Sequence, residues 1–413
     1  MKMMISMNYH SNQPICDSQG WKTEELGNIA ATSSGGTPDK KHPEYYTNGT
    51  IPWVRSGELD KGRIFETEIK ITEDGLNNSS AKVFPEGTLL IALYGATIGK
   101  LAFLGSSAAT NQAVCAVFQN KKVSLNYLYY YLLYHRPELI RQGVGGAQPN
   151  ISQTILKKLP VHYPVSLDAQ KRIVARIEEL FSKLDAGVET LKTTKAQLAV
   201  YRQAVYSESF SNLGDMRRIT DFFEISGGLT KNSKRNSLPI KMPYLRVANV
   251  YYNSLNLNEI KEIGVTESEI SDKTLKMYDL LFVEGNGSKT QIGRVAMWDG
   301  SIAPCLHQNH IIKGRPNGTM LPKYALYYLI SGFGRRQIMQ VASSTSGLYT
   351  LSTGKVENLK IPYCGLSDQQ TVVCRIEEKL SACDSIEQTV DAALQQAEAM
   401  RQSILKQAFE GGL

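Results

Sequence analysis

The sequence predicts an α+β protein with an internal repeat: an α/β domain, a long helix, a second α/β domain and a second long helix. Three observations predict it. First, residues 167–210 and 366–409 align without a gap. Arg176-Ile177-Glu178-Glu179 falls on Arg375-Ile376-Glu377-Glu378, Gln170 on Gln369, Asp185 on Asp384, Arg202-Gln203 on Arg401-Gln402, and Phe210 on Phe409. Second, apolar residues recur every seven positions in both copies: Ile177, Leu184, Leu191, Leu198 and Val205 in one, Ile376, Cys383, Val390, Ala397 and Ile404 in the other. Third, the segments ahead of the two copies repeat more weakly. Ile51-Pro52-Trp53-Val54-Arg55 matches Met242-Pro243-Tyr244-Leu245-Arg246, Ile98-Gly99-Lys100 matches Ile292-Gly293-Arg294, and Tyr130-Tyr131-Leu132 matches Tyr327-Tyr328-Leu329.

A sustained seven-residue apolar repeat without internal proline means a helix that buries a narrow seam against another helix. Leu180, Val188 and Tyr201 flank the first seam, and Leu380, Ala393 and Met400 the second. Asp168 and Ser367 or Asp368 stand where N-caps are expected. At ~1.5 Å per residue each helix is a rod roughly 60–65 Å long. An oligomerisation coiled coil is one reading of such rods. The duplication favours pairing within the chain, because each copy is the obvious partner of the other.

Taken in order, residues 1–19 read as a loose leader without the apolar core or small-residue cleavage site of a signal peptide. Residues 20–164 form the first α/β domain. It contains a helix-like TEELGNIA (23–30), a turn-rich loop over 33–49, and strand-like runs at Ile51–Arg55, Ile69–Ile71, Leu89–Leu93 and Ala113–Phe118. A helix over 125–135, a glycine-rich loop over 143–152 and a strand at Leu159–Tyr163 complete it. The first long helix occupies 165–213, the second α/β domain 214–363 and the second long helix 364–413.

Composition is that of an ordinary soluble chain, 42% hydrophobic and 21% charged. Lys and Arg outnumber Asp and Glu by 46 to 39, an excess that permits nucleic-acid binding without demonstrating it. The longest apolar run, near Leu89–Leu93, is too short to span a bilayer. Six scattered cysteines with no C-x-x-C pair read as reduced thiols of a cytoplasmic protein.

The two helices match each other better than the two globular parts do. Two bodies of one plan with different loops suit two readers of different things. DNA with two half-sites suits such a body, since half-sites repeat at whole-turn distances of about 34 Å.

With these motifs the chain resembles the specificity (S) subunits of type I restriction–modification enzymes. The resemblance rests on the globular–helix–globular–helix order and on Gln170…Arg176-Ile177-Glu178-Glu179 with its echo at Gln369…Glu378. It rests also on IPWVRSGEL (51–59), LLIALYGATIGK (89–100) and the terminal QSILKQAFEGGL (402–413). It implies two α/β target recognition domains joined by two long antiparallel coiled-coil helices, related by a pseudo-twofold axis. It implies a subunit without chemistry of its own, whose recognition domains each read one half of a bipartite double-stranded DNA target. The helices would act as a ruler and dock two methyltransferase subunits, with restriction (nuclease-translocase) subunits joining them. S-adenosylmethionine would then belong to the methyltransferase, and ATP and Mg²⁺ to the restriction subunit. One departure is that GAQPNIS in the first half is replaced by GLYTLS in the second.

A DNA reader needs cations for phosphates and planar or amide side chains for base edges, on loops whose glycines let the backbone come close. In the first domain those grounds select Thr37, Lys40, Lys41, Arg55, Ser56, Tyr94, Thr97, Lys100, Asn111, Gln112, Gln148 and Asn150. In the second they select Thr230, Lys231, Lys234, Arg246, Asn249, Asn286, Ser288, Lys289, Gln291, His307, Gln308, Asn309, His310, Ser344 and Tyr349. Arg55 and Arg246 stand out because they end equivalent strands; the alternative for each is a pair with a neighbouring carboxylate such as Glu58. On the helices, Arg176, Glu178, Glu179, Arg375, Glu377 and Glu378 lie off the apolar seam. They form either two equivalent docking surfaces for methyltransferase helices or intrachain ion pairs worth ~0–1 kcal/mol each.

Catalytic signals are weak. Pro38-Asp39 with Glu68-Ile69-Lys70 spells a loose metal-dependent nuclease motif, but Asp39 sits in a turn-rich loop without a preceding strand. Gly285–Thr290 lacks the order of a phosphate-binding loop, and reads as a hairpin or groove-facing loop. Cys305, His307 and His310 lack a second ligand cluster. No Asn/Asp-Pro-Pro-Tyr/Phe tetrapeptide and no dinucleotide fingerprint occurs. A stand-alone nuclease and a protein-only coiled-coil adaptor are the rival readings.

Overall fold

The computed structural model describes residues 20–60, 62–143, 150–211, 214–345 and 348–410. They form two compact units. One holds the residues up to Thr190 together with those from Ala393 on; the other is Leu191–Ala392.

In the first unit, a five-stranded sheet runs in the order Thr32–Ser34, Val114–Val117, Leu89–Ala92, Leu101–Leu104, Gly62–Ile64. Its neighbours are antiparallel except the last pair, which is parallel. Leu89–Ala92 and Val114–Val117 are buried along their whole length, as continuous apolar runs demand. A second sheet carries Ile51–Val54 between Lys70–Ile71 and Ala108–Thr110, with Val54 opposite Thr110 in a parallel pairing.

The helix-like reading of residues 23–30 needs correction. Trp21–Glu25 is a strand paired antiparallel to Pro160–Pro164, and only Leu26–Ile29 is helical. Tertiary contacts override local propensity here: the Trp21 ring stacks on His162 at 4.7 Å, and Thr23 Oγ1 meets His162 Nδ1 at 2.9 Å.

The second unit repeats the plan. One sheet orders Phe223–Gly227, Ile311–Pro316, Leu280–Val283 and Val295–Met297. Another carries Ile240–Leu245 between Lys261–Val265 and Leu306–His307, with Leu245 opposite His307 in parallel. Arg55 and Arg246 therefore follow strands with the same neighbours in both units.

The long helices are Leu167–Ser209 and Leu366–Phe409. Asp168 lies inside the first turn rather than at the cap; Ser166 Oγ accepts from the Ala169 N–H at 3.3 Å and takes that role. Ser367 and Asp368 likewise fall inside their helix, one turn being the usual uncertainty of a boundary read from sequence.

Within each unit the helices run antiparallel. In the first, Ile173, Val174, Ile177 and Phe181 from the start of one helix share a core with Leu405, Ala408 and Phe409 from the end of the other. In the second, Val205, Tyr206 and Phe210 share a core with Val373, Ile376 and Leu380. Ion pairs follow the same sense. Lys195 meets Asp391 at 2.7 Å and Arg202 meets Asp384 at 2.6 Å, so a step of seven residues up one helix is a step of seven down the other. Tyr201 and Met400 do not join the seam: each is 47% exposed.

Two further devices tie helix to domain in each unit. Phe409 sits edge-on to Tyr127 and Tyr131 (5.3 and 5.1 Å), and Phe210 edge-on to Tyr324 and Tyr328 (5.3 and 5.4 Å). Gln170 and Gln369 are fully buried. Gln170 accepts from the Ser124 N–H and donates to the carbonyls of Lys122 and Pro164, all within 2.8–2.9 Å. Gln369 accepts from the Leu321 N–H and donates to the Cys364 carbonyl, both at 2.8 Å. No helix of the described residues is long and apolar enough to cross a membrane.

Candidate nucleic-acid interface

The two arginines that end the equivalent strands are built into the same local frame. The Arg55 N–H donates to Glu58 Oε2 at 2.9 Å, and the Arg246 N–H to Asn249 Oδ1 at 2.8 Å. Glu58 and Asn249 are only 3% exposed. Each also grips the segment thirteen residues beyond its arginine: Glu58 Oε1 accepts from the Glu68 N–H at 3.1 Å, and Asn249 Nδ2 donates to the Glu259 carbonyl at 3.0 Å. The guanidinium of Arg55 then pairs with the Glu68 carboxylate, and that of Arg246 with Glu259 at 3.2 Å. The hydrogen bond from Arg246 holds the Glu259 carboxyl below the usual carboxylate range. Glu58 is therefore a backbone cap rather than the guanidinium's partner.

Burial removes two sequence-predicted residues from this surface. Asn249 spends its amide on the Arg246 N–H and the carbonyls of Asn256 and Glu259. His307 is fully buried; its Nδ1 lies 2.9 Å from the Ile311 carbonyl, and its Nε2 has no partner among the described residues. Burial pushes the imidazole down to about 4, with Lys313 and Lys273 adding to the shift. Neither side chain can meet a base edge without unfolding its surroundings.

The strands beside the arginines bring further predicted residues to them. The Asn111 N–H donates to the Val54 carbonyl at 3.0 Å and the Gln308 N–H to that of Leu245 at 2.9 Å, next to Arg55 and Arg246. Ser56 follows Arg55 at the head of a 3-10 turn, half-buried. Gln112 touches Thr37 through their side chains. The loops holding Thr37 and Thr230 reach this level through glycines that cannot be replaced: a Cβ at Gly35 would collide with the backbone of Thr110, and one at Gly228 with that of His307. Asn309 is tied to the second loop by its N–H to the Leu229 carbonyl (2.9 Å). Lys40, Lys41, Lys231 and Lys234 are exposed. His310 is exposed and pairs with Glu284 at 2.7 Å.

The other loops are placed less uniformly. Tyr94 is exposed and bridged to Asn150; Thr97 Oγ1 turns back onto the Tyr94 carbonyl at 2.7 Å, and Lys100 pairs with Asp60 at 2.7 Å. Gln148 lies outside the described residues. In the second domain Asn286 pairs in register with Tyr349, which in turn pairs with Ser344. Asn286 Oδ1 accepts from the Ser288 N–H at 2.8 Å, and the Gln291 N–H donates to the Ser288 carbonyl at 3.0 Å. Lys289 and Tyr349 line an open cavity of about 560 Å³ with Arg336, Met339 and Gln340.

Sequence reasoning missed the residues that hold these loops. Arg136 Nε donates to the Ile98 carbonyl (3.2 Å), and Arg335 donates to those of Gly293 (2.9 Å) and Thr290 (3.1 Å). Arg235 grips Glu269 with both nitrogens, at 2.7 and 3.0 Å, and the Thr230 carbonyl at 2.7 Å. The hydrogen bonds from Arg235 pull the Glu269 carboxyl down to about 2. Glu259 was missed too, although its thirteen-residue separation from Arg246 repeats that of Glu68 from Arg55.

On the long helices, Glu178 accepts from the Tyr130 hydroxyl at 3.4 Å. Glu377 is engaged by Lys323 at 2.5 Å and the Tyr327 hydroxyl at 3.1 Å. Arg176 pairs with Glu179 at 2.8 Å, and Glu179 with Lys183 at 2.7 Å. Arg375 and Glu378 are exposed. Four of the six docking candidates thus have intrachain partners. Of the nuclease spelling, Glu68 is taken by Arg55, and Asp39 Oδ1 accepts from the Lys41 N–H at 2.9 Å. No group of three His, Cys, Asp or Glu among the described residues is placed to hold a metal ion.

The family model of the type I restriction modification DNA specificity domain matches residues 18–198 and again 214–396. The chain is 24% identical over 424 residues to the type I restriction enzyme EcoKI specificity subunit of Escherichia coli (strain K12), covering 96% of this chain and 89% of that protein. It is 23% identical over 428 residues to the StySPI specificity subunit of Salmonella potsdam, with the same coverage. A solved chain from a study of complex assembly and conformational transition in a type I R-M system superposes with a TM-score of 0.73 at 16% identity, over 95% of this chain and 98% of that one. The chain belongs to the family of type I restriction–modification DNA specificity subunits, the non-catalytic component of those systems.

Proposed function

We propose that each α/β domain, over residues 20–164 and 214–363, reads one half of a bipartite double-stranded DNA target. The paired helices set the spacing of the two reads and dock two methyltransferase subunits, through which restriction subunits join. Methyl transfer and its S-adenosylmethionine, and cleavage with its ATP and Mg²⁺, then belong to partners.

The observation that carries this reading is the recurrence, at equivalent strand ends, of a half-buried arginine on a buried cap: Arg55 on Glu58, Arg246 on Asn249. Guanidinium is the side chain best suited to a guanine edge in the major groove. The lysines and amides gathered beside each arginine supply phosphate contacts, which position the domains without reading sequence. The surrounding loops differ between the halves, as two different half-targets require.

The ruler is tested by lengthening both helices together. Seven residues inserted between Lys195 and Arg202, and seven between Asp384 and Asp391, keep the facing pairs in register. They lengthen the pair by roughly 10 Å, or about three base pairs of B-DNA. Sequencing of methylated sites in cells carrying the complete system should show unchanged half-sites around a longer gap. An unaltered gap would remove the ruler.

A further inference from the structure

The reading above leaves Glu68 and Glu259 without a task, and they are the least expected members of the repeated device. Both are well exposed, at 62% and 70% of the side chain, on a face that is to approach a polyanion. A carboxylate there repels phosphates and weakens binding. Anchoring the segment does not need it, since the backbone at both positions is already held by Glu58 and Asn249. The carboxylate adds its grip on the guanidinium, and at Glu259 a longer pairing with Lys261 at 3.5 Å as well.

That grip acts on a fork with one edge already closed off by burial. The Nε of Arg55 and of Arg246 is buried, with no partner among the described residues. Base recognition must therefore use the outer N–H groups, and the glutamate takes Nη2 in both domains. An arginine side chain has five N–H donors, so donors remain to face a base while the carboxylate stops the plane from turning. A held fork is selective: it matches the O6 and N7 acceptors of guanine and is left unpaired opposite a base that offers a donor.

We propose that Glu68 and Glu259 are positioning residues that determine specificity, each locking an arginine in the orientation that reads a guanine in its own half-site. This rests on the reading of the two domains as DNA readers, and the test separates the two. The full chain, in complex with its methyltransferase partners, is prepared as wild type and as Glu68→Gln, Glu259→Gln, Arg55→Gln and Arg246→Gln. Affinity is measured for the DNA methylated in the host and for unrelated DNA, and methylated sites are sequenced in cells.

Removing the carboxylate charge is expected to raise affinity for unrelated DNA roughly two- to five-fold. The ratio of specific to unrelated affinity should fall roughly ten-fold, as for the loss of one base contact. Relaxation should be confined to one position of one half-site for Glu68→Gln, and to one position of the other for Glu259→Gln. Damage to the fold lowers both affinities together and cannot produce these opposite signs. The proposal is overturned if both affinities fall in parallel, or if the motif is unchanged in the glutamine variants while Arg55→Gln and Arg246→Gln relax it. If the arginine variants also leave motif and affinity untouched, the DNA-reading role of this frame fails first and the proposal falls with it.

Discussion

Arg202 on the first long helix lies 2.6 Å from Asp384 on the second, and Arg401 with Asp185 forms the corresponding pair with the helices exchanged. Asp185 and Arg202 are the sequence counterparts of Asp384 and Arg401. One duplicated rod thus supplies both partners of each bridge, which only an antiparallel arrangement allows. Arg202 also reaches Glu387 at 2.9 Å, while the end of each helix is seated by a phenylalanine among tyrosines.

The bridge should be modest in energy and sensitive to salt. A double-mutant cycle of Arg202→Ala and Asp384→Ala, read by urea unfolding, is expected to give a coupling of about 0.5–1 kcal/mol at low ionic strength, shrinking in 1 M salt. A zero coupling at low salt would mean that this bridge takes no part in setting the register.

The buried glutamines should matter more than the ion pairs. Gln170→Ala strands the Ser124 N–H and the carbonyls of Lys122 and Pro164 around a fully buried side-chain position. The expected cost is about 2–4 kcal/mol of unfolding free energy, with a similar loss for Gln369→Ala. Loss under 1 kcal/mol in either variant would mean that the clamp is dispensable.

Truncating the aromatic plugs should loosen each helix end from its domain. Phe409→Ala and Phe210→Ala each open a cavity beside two tyrosines, at an expected cost of about 3–5 kcal/mol. Hydrogen exchange should show faster opening at 125–134 for Phe409→Ala and at 322–330 for Phe210→Ala.

Acid should destabilise the second unit through His307. Its pKa in the fold is about 4, below the ordinary 6.5, so the fold holds the neutral imidazole while the unfolded chain takes up a proton. The contribution is complete above pH 6.5 and is lost as pH falls from there towards 4. Its size is at most about 3 kcal/mol. A neutral replacement, His307→Gln, should flatten the stability profile across that window; an unchanged profile would place the proton uptake elsewhere.

Much of the candidate surface was legible from residue type, because strand ends and glycine-rich loops advertise themselves locally. Arg55 and Arg246 were singled out by their equivalent positions, and the structure places them in equivalent frames. Asn249 and His307 carried the same polar signal but face inward, since burial is decided by strands that pack from elsewhere in the chain. Arg136 and Arg335 escaped notice because their partners are backbone carbonyls, which have no sequence signature, and Arg235 because its carboxylate partner, Glu269, is thirty-four residues away.

The sequence by itself determined the duplication, the approximate length of the two long helices, and the order of domains around them. Those properties follow from periodicity and self-similarity, which are local along the chain. Tertiary structure decided that Tyr201 and Met400 stand in solvent while Phe210 and Phe409 plug the domains. It also decided that Glu58 and Asn249 work as buried caps and that Glu68 and Glu259 hold arginines. Each of these depends on which distant segments meet, and a seven-residue pattern is silent on what lies across the gap it is meant to fill.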